Sequence, residues 1–214
     1  MPPSLNTLTC VSWLVYATRA TDDAAKRVKT LILNIKTDRI DPRARVPVVQ
    51  LIIEQAANRL GDAARAAFEG HPMLVPVPGS GLTKPNTVWP AKRVCEELLR
   101  QGFGEDVLPA LKRTTSVPKS AGSLDRPPLS EHVRSLTVQK GLTPPSRLLL
   151  VDDVVTSGTT MMACAIKLAE ACPGVPVSGF ALARVQSLGN PAAVLELLLE
   201  HITIAGARCA RGNA

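Results

Sequence analysis

Residues 147–162 read RLLLVDDVVTSGTTMM: an aliphatic run, two adjacent carboxylates, then a turn of hydroxyls and glycine ahead of an amphipathic apolar segment. The run 148–151 follows a Pro-Pro-Ser break, which suits a central parallel strand covered on both faces. Asp152 and Asp153 then emerge at its carboxyl end. Ligands of open α/β sheets gather at that end. A turn through Thr156, Ser157, Gly158, Thr159 and Thr160 starts the next helix with its amides facing the same crevice. The order predicts a sugar phosphate at the end of a buried strand, with no lysine needed to hold the phosphate.

Working outward, residues 8–17 (LTCVSWLVYA) predict a strand. Asp22 or Asp23 caps a basic helix running to Lys36, with Val28, Leu31, Ile32 and Ile35 at helical spacing. A second helix is expected over 48–60, with Gly61 as its stop. Residues 1–70 carry no catalytic pattern and read as an amino-terminal extension or hood. Residues 71–214 read as the core, a single structural unit. There the main sheet is expected to start at 73–77, where MLVPVPGSG runs a short apolar strand into a glycine loop. A helix over 88–101, a strand over 107–111 and a long flexible loop over 112–128 follow. Then come a short helix at 129–136, the helix 158–171, a strand at 175–185 and a last helix at 191–201. Alternation of strands and helices predicts an α/β fold: a central, mostly parallel sheet flanked by helices, with an amino-terminal helical extension or hood.

Composition narrows the chemistry. A chain of 214 residues buries one substantial core, and with 45% hydrophobic but 3% aromatic residues that core is mainly aliphatic. An aromatic platform for stacking single-stranded bases is not expected on that count. The net charge of +7 invites an anionic partner. The basic residues are scattered in local pairs, so they read as a solvated basic surface, and nucleic acid is not the favoured partner. Cys10, Cys95, Cys164, Cys172 and Cys209 are odd in number and lack zinc or disulfide spacing, which predicts reduced thiols and a cytoplasmic location. No run is long enough to span a bilayer, and no membrane partner is expected.

The segment VDDVVTSGTT, residues 151–160, resembles the phosphoribosyl pyrophosphate signature of type I phosphoribosyltransferases. Physically, a ribose offers two neighbouring hydroxyls, and the carboxylates of Asp152 and Asp153 can accept from both in short, charge-assisted hydrogen bonds. Backbone amides and the hydroxyls of Thr156, Ser157, Thr159 and Thr160 suit a 5-phosphate, with Gly158 letting the backbone approach it. The Gly-Lys-Ser/Thr ending of a nucleotide P-loop is absent.

The resemblance implies the type I phosphoribosyltransferase fold. It also implies a reaction in which a nitrogen acceptor displaces pyrophosphate from phosphoribosyl pyrophosphate. Mg²⁺ is implied as cofactor, held mainly by the substrate rather than by dedicated protein ligands. Asp152 and Asp153 become the catalytic pair, stabilising positive charge on the sugar. A second stretch, VPGSGLTK at 77–84, resembles a pyrophosphate-binding loop, with Gly79, Ser80 and Gly81 giving amides and Lys84 a charge; an ordinary βα turn is the alternative. The loop opening at Lys112 and Arg113 resembles the flexible loop that closes over pyrophosphate. Lys112, Arg113 and Lys119 are candidate cations there, and Arg113 is chosen.

Further stretches at 26–36 (KRVKTLILNIK), 75–78 (VPVP), 111–113 (LKR) and 129–133 (LSEHV) resemble the ComF branch, named for proteins associated with DNA uptake. The chain departs from that branch in lacking an amino-terminal four-cysteine zinc module, and in having His132 where the branch has asparagine. Thr156 stands where enzymes of 6-oxopurine salvage place an acid, so hypoxanthine or guanine salvage is disfavoured. Orotate and adenine classes, another nitrogen acceptor, and a homodimer stay open. The rival functions are a non-catalytic sensor of phosphoribosyl pyrophosphate or nucleotides, and a ComF-like accessory of DNA uptake.

Overall fold

Leu148, Leu149, Leu150 and Val151 are each exposed by 1% or less, as a strand covered on both faces requires. Leu149 and Val151 join one hydrophobic cluster, and Leu148 and Leu150 join the other. In this computed structural model the described residues are 5–17, 23–82, 87–118, 127–139, 143–186 and 195–213. In chain order they form β1 (Thr7–Ala17), α1 (Asp23–Lys36), α2 (Val48–Leu60), α3 (Asp62–Ala66), β2 (Met73–Pro76), α4 (Pro90–Arg100) and β3 (Leu111–Arg113). There follow α5 (Leu129–Arg134), β4 (Leu136–Val138), β5 (Leu148–Val155), α6 (Thr159–Ala171), β6 (Val177–Gln186), β7 (Leu195–Ala205) and β8 (Arg208–Asn213).

The main sheet has the order β2-β5-β6-β1-β7-β8. Its first four strands are mutually parallel, while β7 and β8 are antiparallel additions at one edge. The fold is therefore mixed α/β, with a central, mostly parallel sheet flanked by helices. One face packs against α1, α2 and α4 through Val28, Ile32, Ile35, Ile53, Val94 and Leu98. The other packs against α6 and the short α5 and β3–β4 unit through Met161, Met162, Leu168, Leu111 and Leu136.

The helix α2 starts and stops as its periodicity predicts, and Gly61 ends it with φ +55°, a conformation that favours glycine. Four expectations are corrected. The sheet does not begin at Met73, because β1 lies within it between β6 and β7, leaving only α1, α2 and α3 of the amino-terminal segment as a covering layer. Of the strand expected over 107–111, Val107 makes a lone bridge with Leu74 and Leu111 opens β3. Lys112 and Arg113 do not open a loop, because they pair in register with Thr137 and Leu136 in the two-stranded antiparallel sheet of β3 and β4; residues 119–126, Lys119 among them, lie outside the described residues. The helix expected over 191–201 is strand β7 from Leu195 onward, with 191–194 outside the described residues. Its β-branched tail Ile202, Thr203 and Ile204 pairs with Ala210 and its neighbours after a turn at Gly206, so tertiary pairing overrides the helical spacing of Val194, Leu197, Leu198 and His201 in the sequence. No helix among the described residues is long and apolar enough to cross a membrane. All five cysteines are free and buried.

Candidate functional site

Strand β5 runs four residues past the aliphatic run, so Asp152 and Asp153 sit inside its pairing, with Asp152 opposite Ala181. The strand then gives way to the turn of Thr156, Ser157 and Gly158. Gly158 adopts φ +82°, and an added Cβ there would lie 2.6 Å from Ile202 of β7, so glycine is required on both counts. Helix α6 begins directly after it without any side-chain cap, which leaves its first amides open toward the turn. Asp152 and residues 154–161 line one cleft, bringing one carboxylate and the whole anion turn together. Within it Ser157 Oγ and Thr159 Oγ1 are 3.0 Å apart.

The two carboxylates are not equivalent. Asp153 does not line this cleft; its Oδ2 lies 3.4 Å from Lys36 Nζ at the end of α1 and makes no hydrogen bond among the described residues. The Asp153 amide donates to Asp152 Oδ1 at 2.9 Å. Burial first, and then the negative charge of Asp153, hold the Asp152 carboxyl well above the usual carboxylate range.

The glycine loop arrives beside this cleft because β2 is parallel to β5. Pro76 pairs with Val151, and the Val77 amide donates to the Val151 carbonyl at 2.9 Å. Gly79 and Gly81 have open space where a Cβ would stand, and Ser80 is half-buried. Lys84 lies outside the described residues.

Arg113 is only 6% exposed, and its surroundings correct its expected placement on a mobile loop. Its Nε donates to the Gly79 carbonyl at 2.6 Å, its Nη1 donates to Ser135 Oγ, and its Nη2 lies 3.4 Å from His132 Nδ1. His132 Nδ1 also lies 3.3 Å from Thr160 Oγ1. One buried guanidinium thus links the glycine loop, α5 and the first turn of α6. Burial, and then the charge of Arg113, lower the His132 pKa from 6.5 to about 4, so the ring is neutral at pH 7.

Three contributors carry no motif of their own. His132 stands out in the sequence only as a departure from the pattern of the ComF branch. Lys36 carries no signal beyond its place in a basic helix. The third is the floor under the turn, where Ile202 abuts Gly158 and Cys209 is buried in the same hydrophobic cluster. That floor comes from strands which the sequence does not announce. Beside it, Glu200 bridges Arg184 at 3.5 Å and Arg211 at 3.1 Å, joining β6, β7 and β8.

No family model matches the chain, and no curated protein matches it. Among solved structures, a hypoxanthine phosphoribosyltransferase from Staphylococcus aureus is similar over 67% of this chain and 70% of its own, at 13% identity and a TM-score of 0.37. So distant a likeness carries no weight for fold or function, and the fold assignment stands on the sheet order itself.

Proposed function

We propose that the chain is a phosphoribosyltransferase of the type I fold, which takes phosphoribosyl pyrophosphate, transfers its phosphoribosyl group to a nitrogen acceptor and releases pyrophosphate. The observation that carries this reading is the single cleft shared by Asp152 and the turn at the start of α6, at the carboxyl end of a central parallel strand. In the reaction the bond from the anomeric carbon to the pyrophosphate oxygen breaks, and its electron pair leaves with pyrophosphate. A bond to the acceptor nitrogen forms, and the nitrogen loses a proton to water. Asp152 accepts hydrogen bonds from the ribose hydroxyls and stabilises positive charge on the sugar. Asp153, tied to Lys36, keeps a second negative charge beside it. The first amides of α6, with Thr156, Ser157, Thr159 and Thr160, take the 5-phosphate. The amides of Gly79, Ser80 and Gly81, with Lys84, take the pyrophosphate.

Mg²⁺ belongs to the same proposal. The cleft offers the hard oxygens of Asp152 and the turn hydroxyls. Such a donor set fits an ion that takes most of its ligands from pyrophosphate, ribose and water. When bound, Mg²⁺ supplies charge neutralisation to the leaving pyrophosphate.

The test is pyrophosphate release across a panel of nucleobases and amines in the presence of Mg²⁺. Wild-type protein is expected to turn over at least one acceptor, and Asp152→Asn to lose at least about 100-fold, the size of effect typical for a group aimed at transition-state charge. Turnover unchanged by that substitution removes the assignment. The ion pair of Lys36 with Asp153 supports a second reading, a sensor that binds the donor without consuming it, because binding needs fewer free carboxylates than catalysis. Tight calorimetric binding of phosphoribosyl pyrophosphate with no release for any acceptor selects that reading.

A further inference from the structure

We infer that Arg113 and His132 form a clamp that fixes the spacing between the glycine loop and the anion turn, and so selects a ligand with two separated phosphoryl groups over a ligand with one. The inference rests on the phosphoribosyl pyrophosphate reading and adds to it two positioning residues that act through Gly79 and Thr160. Arg113 reaches the loop through the Gly79 carbonyl, and the same guanidinium reaches His132, whose Nδ1 faces Thr160 in the first turn of α6. Ser135 completes the clamp: it accepts from Arg113 and donates its own hydroxyl to the His132 carbonyl at 2.7 Å. The loop is tied a second time, since the Val117 amide donates to the Ser80 carbonyl at 2.8 Å. Arg113, His132 and Ser135 are exposed by 6%, 2% and 2%, so the tie runs through the interior, where neighbouring side chains hold rotamers in place.

The chemistry of these groups points to an anion on either side. A guanidinium only donates, so His132 Nδ1 accepts and the ring proton sits on Nε2; the tautomer is assigned from its partners. That Nε2–H is buried and finds no acceptor among the described residues. No carboxylate among the described residues is within ion-pair distance of Arg113, whose charge is met only by neutral acceptors. A buried cation without a counter-charge is costly, and an anionic ligand supplies the missing charge. A rigid link between two anion subsites favours a ligand that spans both, because the second contact is then intramolecular.

Calorimetry in Mg²⁺ buffer with phosphoribosyl pyrophosphate, ribose 5-phosphate and inorganic pyrophosphate tests the clamp. His132→Leu and Ser135→Ala are compared with His132→Asn, whose Oδ1 can replace the accepting Nδ1. His132→Leu is expected to weaken phosphoribosyl pyrophosphate by about 10-fold and each single-ended ligand by less than about 3-fold, a difference expected when effective concentration is lost. His132→Asn should return to within about 3-fold of wild type, as replacement of the lost acceptor predicts. If His132→Leu does not fold, Ser135→Ala, which removes only a hydroxyl, should give the same ordering of ligands. Equal losses for all three ligands, or no loss for any, overturn the clamp. Wild-type protein that binds none of the three overturns the phosphoribosyl pyrophosphate reading itself, a result distinct from wild-type binding with indifferent variants.

Discussion

The two faces of the sheet are built from different materials. Facing α1, α2 and α4, all three phenylalanines meet one of the two tryptophans: Trp13, Phe68, Phe103 and Phe180 have ring centroids 4.8–5.8 Å apart in tilted and edge-on contacts. Facing α6, the core is leucine, alanine, cysteine, valine and methionine, with no aromatic ring among its described buried residues. On that side Arg113, His132, Ser135 and Thr159 are buried together, and Glu200 shares a strand face with Ile202. One face concentrates apolar area in few residues. The other holds polar groups whose burial costs stability unless each finds a partner. The comparison teaches that aromatic packing and the buried polar cluster of Arg113 and His132 lie on opposite sides of one sheet, one residue apart along β6 from Phe180 to Ala181, while Asp153 reaches Lys36 of α1 on the aromatic side.

The division breaks most visibly at Phe180. It is fully buried and contacts Trp13 edge-on at 4.9 Å and Phe68 at 5.1 Å. Phe180→Ala is expected to cost about 3–5 kcal/mol, the sum of lost transfer energy and a cavity that rigid neighbours cannot fill. In a chain of this size each 1 kcal/mol lowers Tm by about 2–4 °C, so a fall near 10 °C is expected in a thermal melt. Ligand affinity per folded molecule should survive, since the substituted side chain faces away from the cleft. An affinity loss in protein still fully folded at the assay temperature would show that the two faces are not separable in this way.

A smaller effect on the polar face is read from pH. The His132 pKa is about 4 in the folded protein and 6.5 when free, because burial and Arg113 disfavour the charged ring. Below pH 6.5 the unfolded chain takes up a proton that the folded chain refuses. The His132 contribution to stability therefore falls as pH drops from 6.5 to about 4, and levels off below that. The span corresponds to about 3 kcal/mol. Urea denaturation of wild type and His132→Asn between pH 7 and 4 should show curves that converge with acidity, the wild type losing the more. Parallel curves would mean that the ring is not held neutral.

Much of the hood-side layer and the strand-turn-helix was legible in the sequence, because local signals and tertiary packing agree there. Val48–Leu60 has helical spacing and a glycine stop, and the run ahead of Asp152 is too uniformly aliphatic for anything but a covered strand. What stayed illegible depends on long-range pairing. β7 has leucines and glutamates at helical spacing, yet its partners are β1 and β8, and its Glu200 is fixed by Arg184 and Arg211 from two other strands. In the candidate site, the turn and Asp152 come from one continuous segment, and the sequence places them together. Arg113, His132 and Lys36 reach it from three other elements, and no spacing rule connects them. Asp153 looks identical to Asp152 in the sequence, and only the packing of α1 separates their roles.

The smallest effect on stability tests that separation and runs opposite in sign. Asp152 is held above the usual carboxylate range by burial and by the charge of Asp153, so ionising it costs the fold free energy. The sign follows from proton counts. Above 3.8 the folded state holds a proton that the unfolded state has released, and so the Asp152 contribution declines as pH rises from 3.8 through the raised folded pKa. Asp152→Asn removes the charge and keeps the shape. Its Tm is expected to match wild type in acid and to exceed it at neutral pH, in the direction that the raised Asp152 pKa sets. Asp153→Asn should not behave alike, because it strands the Lys36 ammonium while relieving Asp152. A variant that melts higher while losing pyrophosphate release is the signature of a charge kept for a ligand rather than for the fold. Differential scanning calorimetry at pH 4 and pH 7.5 decides it, and a lower neutral-pH Tm for Asp152→Asn would place that carboxylate among the structural groups.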